Sequence, residues 1–174
     1  MEENQPKTGK FALTFGLLLG GLQVIFGLML YSMDLHYQGG MSVIVVSIIM
    51  SLVLIILGLL QFKKANTGLL SFGQALKIGV GICLIGGIIG LIYNELVMSV
   101  IDPDTLTKAL EYQKGQLLET TKLTSEQIDA QLEMGKKFST PLIRFTLGTL
   151  FSIILGFLLT LIPALVLKKS ENLN

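Results

Sequence analysis

A chain of 174 residues that is 51% hydrophobic and 14% charged, with a mean hydropathy of +0.70, is too apolar for a soluble domain of its size. Its formal net charge of +1 offers no electrostatic footprint for nucleic acid. One cysteine, Cys83, cannot form an intramolecular disulfide, and one histidine with no CxxC or HxxxH spacing leaves no metal-ligand set.

Residues 1–10 are polar and read as a frayed tail. The first span covers about 11–33. It is uncharged, long enough to cross with some tilt, and too long for the apolar region of a cleavable signal. Gly16 and Gly20 form a small-x-x-x-small step at which a second helix backbone can approach closely. Gln23 is the strongly polar residue inside this span, and a buried amide in lipid points first at a neighbouring helix. The turn Asp34–Gly40 follows, with Tyr31 and Tyr37 at interfacial positions and His36 as a solvated turn residue without a visible partner. The second span, about 41–62, carries Ser47 and Ser51 one turn apart, placed to bond back to their own helix, and ends at Lys63 and Lys64.

The third span, about 76–101, organises the rest. Its glycines at Gly79, Gly86 and Gly90 fall near one helical face, and Gly86-x-x-x-Gly90 repeats the close-approach spacing. Such glycines cost about 1 kcal/mol each relative to Ala in a water-exposed helix, but a bilayer keeps the backbone helical. Asp102 and Pro103 suit the cap and first position of a new helix. Leu106, Leu110 and Leu117 then mark an apolar stripe, and Thr124 with Gln127 matches a capping box opening a second short helix. The insert of about 103–140 is therefore expected to be a helical hairpin, with Ile128, Leu132 and Met134 toward a partner surface. Pro141 marks the break before the fourth span, about 142–167.

Lys7, Lys10, Lys63, Lys64, Lys77, Lys168 and Lys169 fall on one side of this four-span layout. The short loop opposite has Asp34 and no Lys or Arg, and the long loop mixes five lysines with seven carboxylates. Lysine density near the span ends puts both termini in the cytoplasm and the 103–140 insert outside.

At about 1.5 Å per residue, Glu95 stands about 27 Å above Lys77, near the outer edge of the hydrocarbon core. Arg144 enters the fourth span from the same side, and Asn94 and Gln23 lie at comparable depth. These four form the candidate polar cluster, either a tether between spans or a contact for a proton or substrate. Gly16, Gly20, Gly79, Gly86 and Gly90 are the candidate packing positions. No catalytic, cofactor or metal-binding residue emerges.

The SFGQALKIG entry, the IYNE exit and IDPD ahead of a helical insert resemble a family of small bacterial membrane proteins, catalogued as domain of unknown function 4199 and found mainly in Bacteroidota. The resemblance runs from about Lys10 to Lys168 and rests on Phe72, Gly73, Ala75, Lys77, Gly79, Tyr93, Asn94, Asp102 and Pro103. It implies an integral protein of the cytoplasmic membrane, with a periplasmic hairpin in a two-membrane cell, and brings no activity with it. The expectation is one all-α, four-span domain over 1–174, structural or accessory rather than enzymatic, without a cofactor. Its partners would be membrane lipids and either a second copy, through the glycine faces, or another membrane protein. The competing class is a small transporter or a lipid- or ligand-binding protein using the Gly-rich third span and Glu95.

Overall fold

The computed structural model describes residues 6–169 and is all-helical. Four helices are long and apolar enough to cross a membrane: α1 (Thr8–Ser32), α2 (Met41–Ala65), α3 (Phe72–Leu96) and α6 (Pro141–Leu167). Between the last two stand α4 (Thr105–Thr120) and α5 (Ser125–Lys137), the expected helical pair. The first helix begins at Thr8, so Thr8–Lys10 belong to α1 rather than to a tail, and residues 1–5 lie outside the described residues.

Local signals set most of the boundaries. Ser71 caps α3 in a capping box with Gln74, the Thr124 hydroxyl accepts from the Gln127 amide at 3.3 Å in a second box, and Thr140 caps α6 with Pro141 at its first position. Asp102 departs from the expectation. Its side chain caps nothing, and α4 begins three residues later at Thr105. In place of a clean stop, α3 widens into a π-helical turn over Val97–Ile101, closed by the Asp102 amide donating to the Val97 carbonyl at 2.8 Å. The Asp102 carboxylate is thereby released from capping and turned toward other partners.

Helix α3 is the centre of the bundle, packed by α1 and α6, with α2 across them. Glycines make this closeness possible. A Cβ at Gly16 or Gly20 would fall on Ile85 or Ile89 of α3, and one at Gly86 would fall on Leu19 of α1. The single glycine face predicted on α3 divides between two neighbours, because α1 and α6 share its surface. Gly86 and Gly90 meet α1, whereas Gly79 meets Thr160 of α6. Glycines outside the predicted set complete the seams: Gly81 lies against Ala12, Gly87 against Ser152, and Gly156 against Cys83.

The packing is uneven along the spans. Buried residues are Ala12–Gly20 on α1, Ser51–Phe62 on α2, Ala75–Gly86 on α3 and Gly156–Ala164 on α6, all in the half next to the chain termini. Phe62, Ile55, Leu59, Ile78 and Ile82 are fully enclosed there. That end is also tied: Leu70 and Lys169 exchange backbone hydrogen bonds at 3.0 and 2.9 Å, and Lys63 donates to the Leu167 carbonyl at 2.8 Å. Toward the hairpin α1, α3 and α6 remain in contact, with Gly27 against Tyr93 and Gly148 against Leu91, while α2 before Ser51 has no buried residue.

Candidate functional site

The four-residue polar cluster is not one site. Successive helix residues point about 100° apart, so neighbouring Asn94 and Glu95 leave α3 in different directions. Glu95 turns to α6, where Arg144 Nη2 donates to both its carboxylate oxygens at 2.9 and 2.8 Å. Ser99 donates to Glu95 at 3.0 Å, and Arg144 also donates to the Ser139 carbonyl. This charge-assisted fork joins the end of α3 to the start of α6. The pairing has the geometry expected of a tether between the two spans.

Asn94 and Gln23 belong to the other side, where they line a cavity of about 210 Å³ between α1, α2 and α3. Gln23 and Gly27 line it from α1, Ser47 from α2, and Gly90, Tyr93 and Asn94 from α3. Each element places its residue for a local reason. Ser47 spends its proton on the Val43 carbonyl at 2.8 Å, which leaves its lone pairs to the cavity. The Tyr93 ring lies where a Cβ at Gly27 would clash, so that glycine seats the ring.

His36 and Thr105 close the cavity at the hairpin end. The expected solvated histidine is instead buried, its side chain 8% exposed, and lies beside Tyr31 and Tyr37 at ring distances of 4.9 and 5.4 Å. Its Nε2 lies 3.1 Å from Asp102 Oδ2 and 3.3 Å from Thr105 Oγ1. Thr105 Oγ1 donates to the Asp102 carbonyl at 2.7 Å, and Lys108 donates to Asp102 Oδ2 at 2.8 Å. The Lys108 ammonium foremost, then the His36 contact, holds the Asp102 carboxyl below its ordinary range, and Asp102 in turn raises Lys108. An ionised Asp102 only accepts, so His36 Nε2 carries the proton of that bond, and in the neutral imidazole Nδ1 is then an acceptor. Together these groups latch the first turn of α4 to the α1–α2 loop across 66 residues of chain.

Above the latch the hairpin stands apart. Helices α4 and α5 pack on each other, with Ile128 fully buried between them, and α4 touches the bundle at the π-helical turn. Tyr112 of α4 also meets Tyr37 edge-on at 6.3 Å. Lys114 and Asp129 pair at 2.5 Å across the hairpin. Of the residues expected toward a partner surface, Ile128 is enclosed within the hairpin whereas Met134 is 62% exposed, and Phe138 beyond it is 64% exposed.

Sequence reasoning missed the latch because its members are local residues made partners by the fold. Its available signals were that His36 is the sole histidine and that Asp102 and Lys108 stand six residues apart. The available signal for Tyr93 is a phenol within an otherwise apolar span, one turn below its outer end. No curated protein and no solved structure matches the chain. The family described as Protein of unknown function (DUF4199) matches residues 14–169, so this multi-pass membrane protein belongs to that family.

Proposed function

We propose that the protein is a non-catalytic accessory component of the cytoplasmic membrane, with both termini in the cytoplasm and the α4–α5 hairpin presented outside to another membrane or envelope protein. The observation that carries this reading is the way the hairpin is held. It is fixed at its root by the Asp102 latch and the π-helical turn, yet Met134 on α5 and Phe138 just past its end are uncovered. A rigidly mounted element with exposed large apolar side chains is suited to present a surface. The lysines beside the span ends support the orientation.

The glycine steps are occupied by α1–α3 and α3–α6 packing within one chain, which weighs against a homodimer built on those faces. Transport is disfavoured by the fully packed half around Phe62, Ile55 and Ile78. A ligand-binding reading is favoured by one specific observation, the polar cavity beneath His36.

Photocrosslinking amino acids placed at Met134 and Phe138 in living cells test the accessory reading, with lipid-facing Ile25 as the control. A discrete adduct to a second protein from the hairpin positions and none from Ile25 is expected. Adducts to lipid alone from all three would overturn it. For orientation, Lys122→Cys should react with a membrane-impermeant maleimide from outside the cell and Lys64→Cys should not; the reverse pattern inverts the topology.

A further inference from the structure

From the cavity walls we infer that this protein binds a neutral polyol, a vicinal diol such as glycerol or the glyceryl head of a monoacylglycerol, in the cavity between α1, α2 and α3. Four side chains bring to this space polar atoms that have no hydrogen-bond partner among the described residues. His36 Nδ1 and the Tyr93 hydroxyl are buried and unsatisfied. The Gln23 and Asn94 carboxamides line the same space, and no hydrogen bond ties either side chain to the protein. Buried polar atoms such as His36 Nδ1 and the Tyr93 hydroxyl are costly to leave unmet, and the polar wall is built from α1, α3 and the α1–α2 loop.

The chemistry of the walls sets the class of occupant. In the neutral imidazole His36 Nδ1 accepts, because the Nε2 proton is committed to Asp102. The Tyr93 hydroxyl gives and takes one hydrogen bond each way, and each carboxamide offers donors and an acceptor. Hydroxyl groups match this mixture, since each is at once donor and acceptor. Among the described residues no Lys, Arg, Asp or Glu lines the cavity, so a charged ligand would enter without a counter-charge in a medium of low polarity. Phe26 and Val43 supply apolar wall beside the polar groups, as the carbon skeleton of a polyol requires.

Size agrees. At about 30 Å³ per water, 210 Å³ corresponds to about seven waters, below the roughly 300–1,000 Å³ of pockets for drug-sized ligands. A glyceryl unit fits that space. Asn94 is exposed at the cavity edge, on a span whose surroundings are lipid, so the same head can arrive free or carried on an acyl chain.

The test uses the full chain purified in an amine-oxide detergent, whose head group has no hydroxyl to compete. Glycerol and 1-monoolein are titrated separately, followed by the shift of the thermal unfolding midpoint, with native mass spectrometry counting monoolein adducts. Wild type should show saturable binding of at least one probe. Tyr93→Phe keeps the ring seated on Gly27 and removes only the hydroxyl; it and Asn94→Ala should each weaken binding about tenfold, near the worth of one hydrogen bond. Glu95→Gln, on the α6 side of α3, should leave it unchanged. Binding of both probes with this variant pattern assigns a free polyol, and binding of monoolein alone assigns a lipid head. No saturable shift with either probe, or equal binding in wild type, Tyr93→Phe and Asn94→Ala, would overturn the inference.

Discussion

Gly86→Ala adds one methyl group at the contact between the two most closely packed spans. The new Cβ would stand 2.8 Å from both Cγ and Cδ2 of Leu19 and 3.0 Å from its Cβ. Carbon atoms in contact prefer about 3.5–4.0 Å. Leu19 is 1% exposed and has no room to turn away, so the helices must separate or strain, at a cost of about 1–3 kcal/mol. Alanine also raises helix propensity by as much as about 1 kcal/mol, which would mask part of that cost. Gly21→Ala isolates the propensity term, since nothing lies within 4 Å of its added Cβ. Gly90→Ala is the second comparison. Its Cβ would meet only Gln23 Oε1 at 2.8 Å, the end of a flexible side chain, with the next atom at 3.8 Å. Reversible unfolding by SDS titration, followed by helical circular dichroism, should place Gly86→Ala about 1–3 kcal/mol below Gly21→Ala and Gly90→Ala within about 0.5 kcal/mol of it. Combined with Leu19→Ala, Gly86→Ala should cost less than the sum of the two single changes. Equal stability of Gly86→Ala and Gly21→Ala would refute the reasoning, because the α1–α3 seam could then not be as close as described.

Arg144→Ala should destabilise more than the double change Glu95→Gln with Arg144→Gln, since the single change strands a carboxylate; the cycle in the same unfolding assay should show a coupling of about 1–3 kcal/mol. Thr124→Ala removes the acceptor of the Gln127 amide and should cost on the order of 1 kcal/mol locally, seen as faster hydrogen exchange in the first turn of α5 with the spans unaffected. The latch should depend on pH at both ends. A depressed Asp102 pKa means its contribution is present above the unfolded value of about 3.9 and is lost as pH falls through the lower folded value. A raised Lys108 pKa means its contribution is present below about 10.4 and is lost as pH rises through the higher folded value. The gap in unfolding midpoint between wild type and Asp102→Asn should therefore be widest between those limits and close toward acid.

The spans, the hairpin and the Thr124 cap were legible because each rests on residues close together in sequence: an uncharged run, a small-residue step, a hydroxyl three residues before an amide. The depth of Glu95 and Arg144 was equally legible, being a count of helical rise from a charged end. Direction was harder. Asn94 and Glu95 share a depth but differ by one residue of rotation, which sends one to the cavity and the other to α6, and helical periodicity alone contains that distinction. The latch lay beyond such reasoning. Asp102 has the chemistry of a helix cap, and only the π-helical turn before it, together with a loop 66 residues away, makes it the partner of His36 and Lys108. Assigning Gly79 to α6 rather than α1 likewise needs the placement of two neighbours around α3, which no residue of α3 encodes by itself.

Helices α3 and α6 are joined at both ends. Leu70, just before α3, and Lys169, just after α6, exchange backbone hydrogen bonds at one end, and Glu95 of α3 pairs with Arg144 of α6 at the other. Glycine seams fix how near two helices stand, but a smooth seam says little about how far one has slid along the other. Two polar fastenings at opposite ends of the same pair supply that second coordinate. Sliding either helix by one residue, about 1.5 Å, would pull both fastenings out of hydrogen-bond range together. The pair therefore has one axial register, held from its ends rather than from its middle.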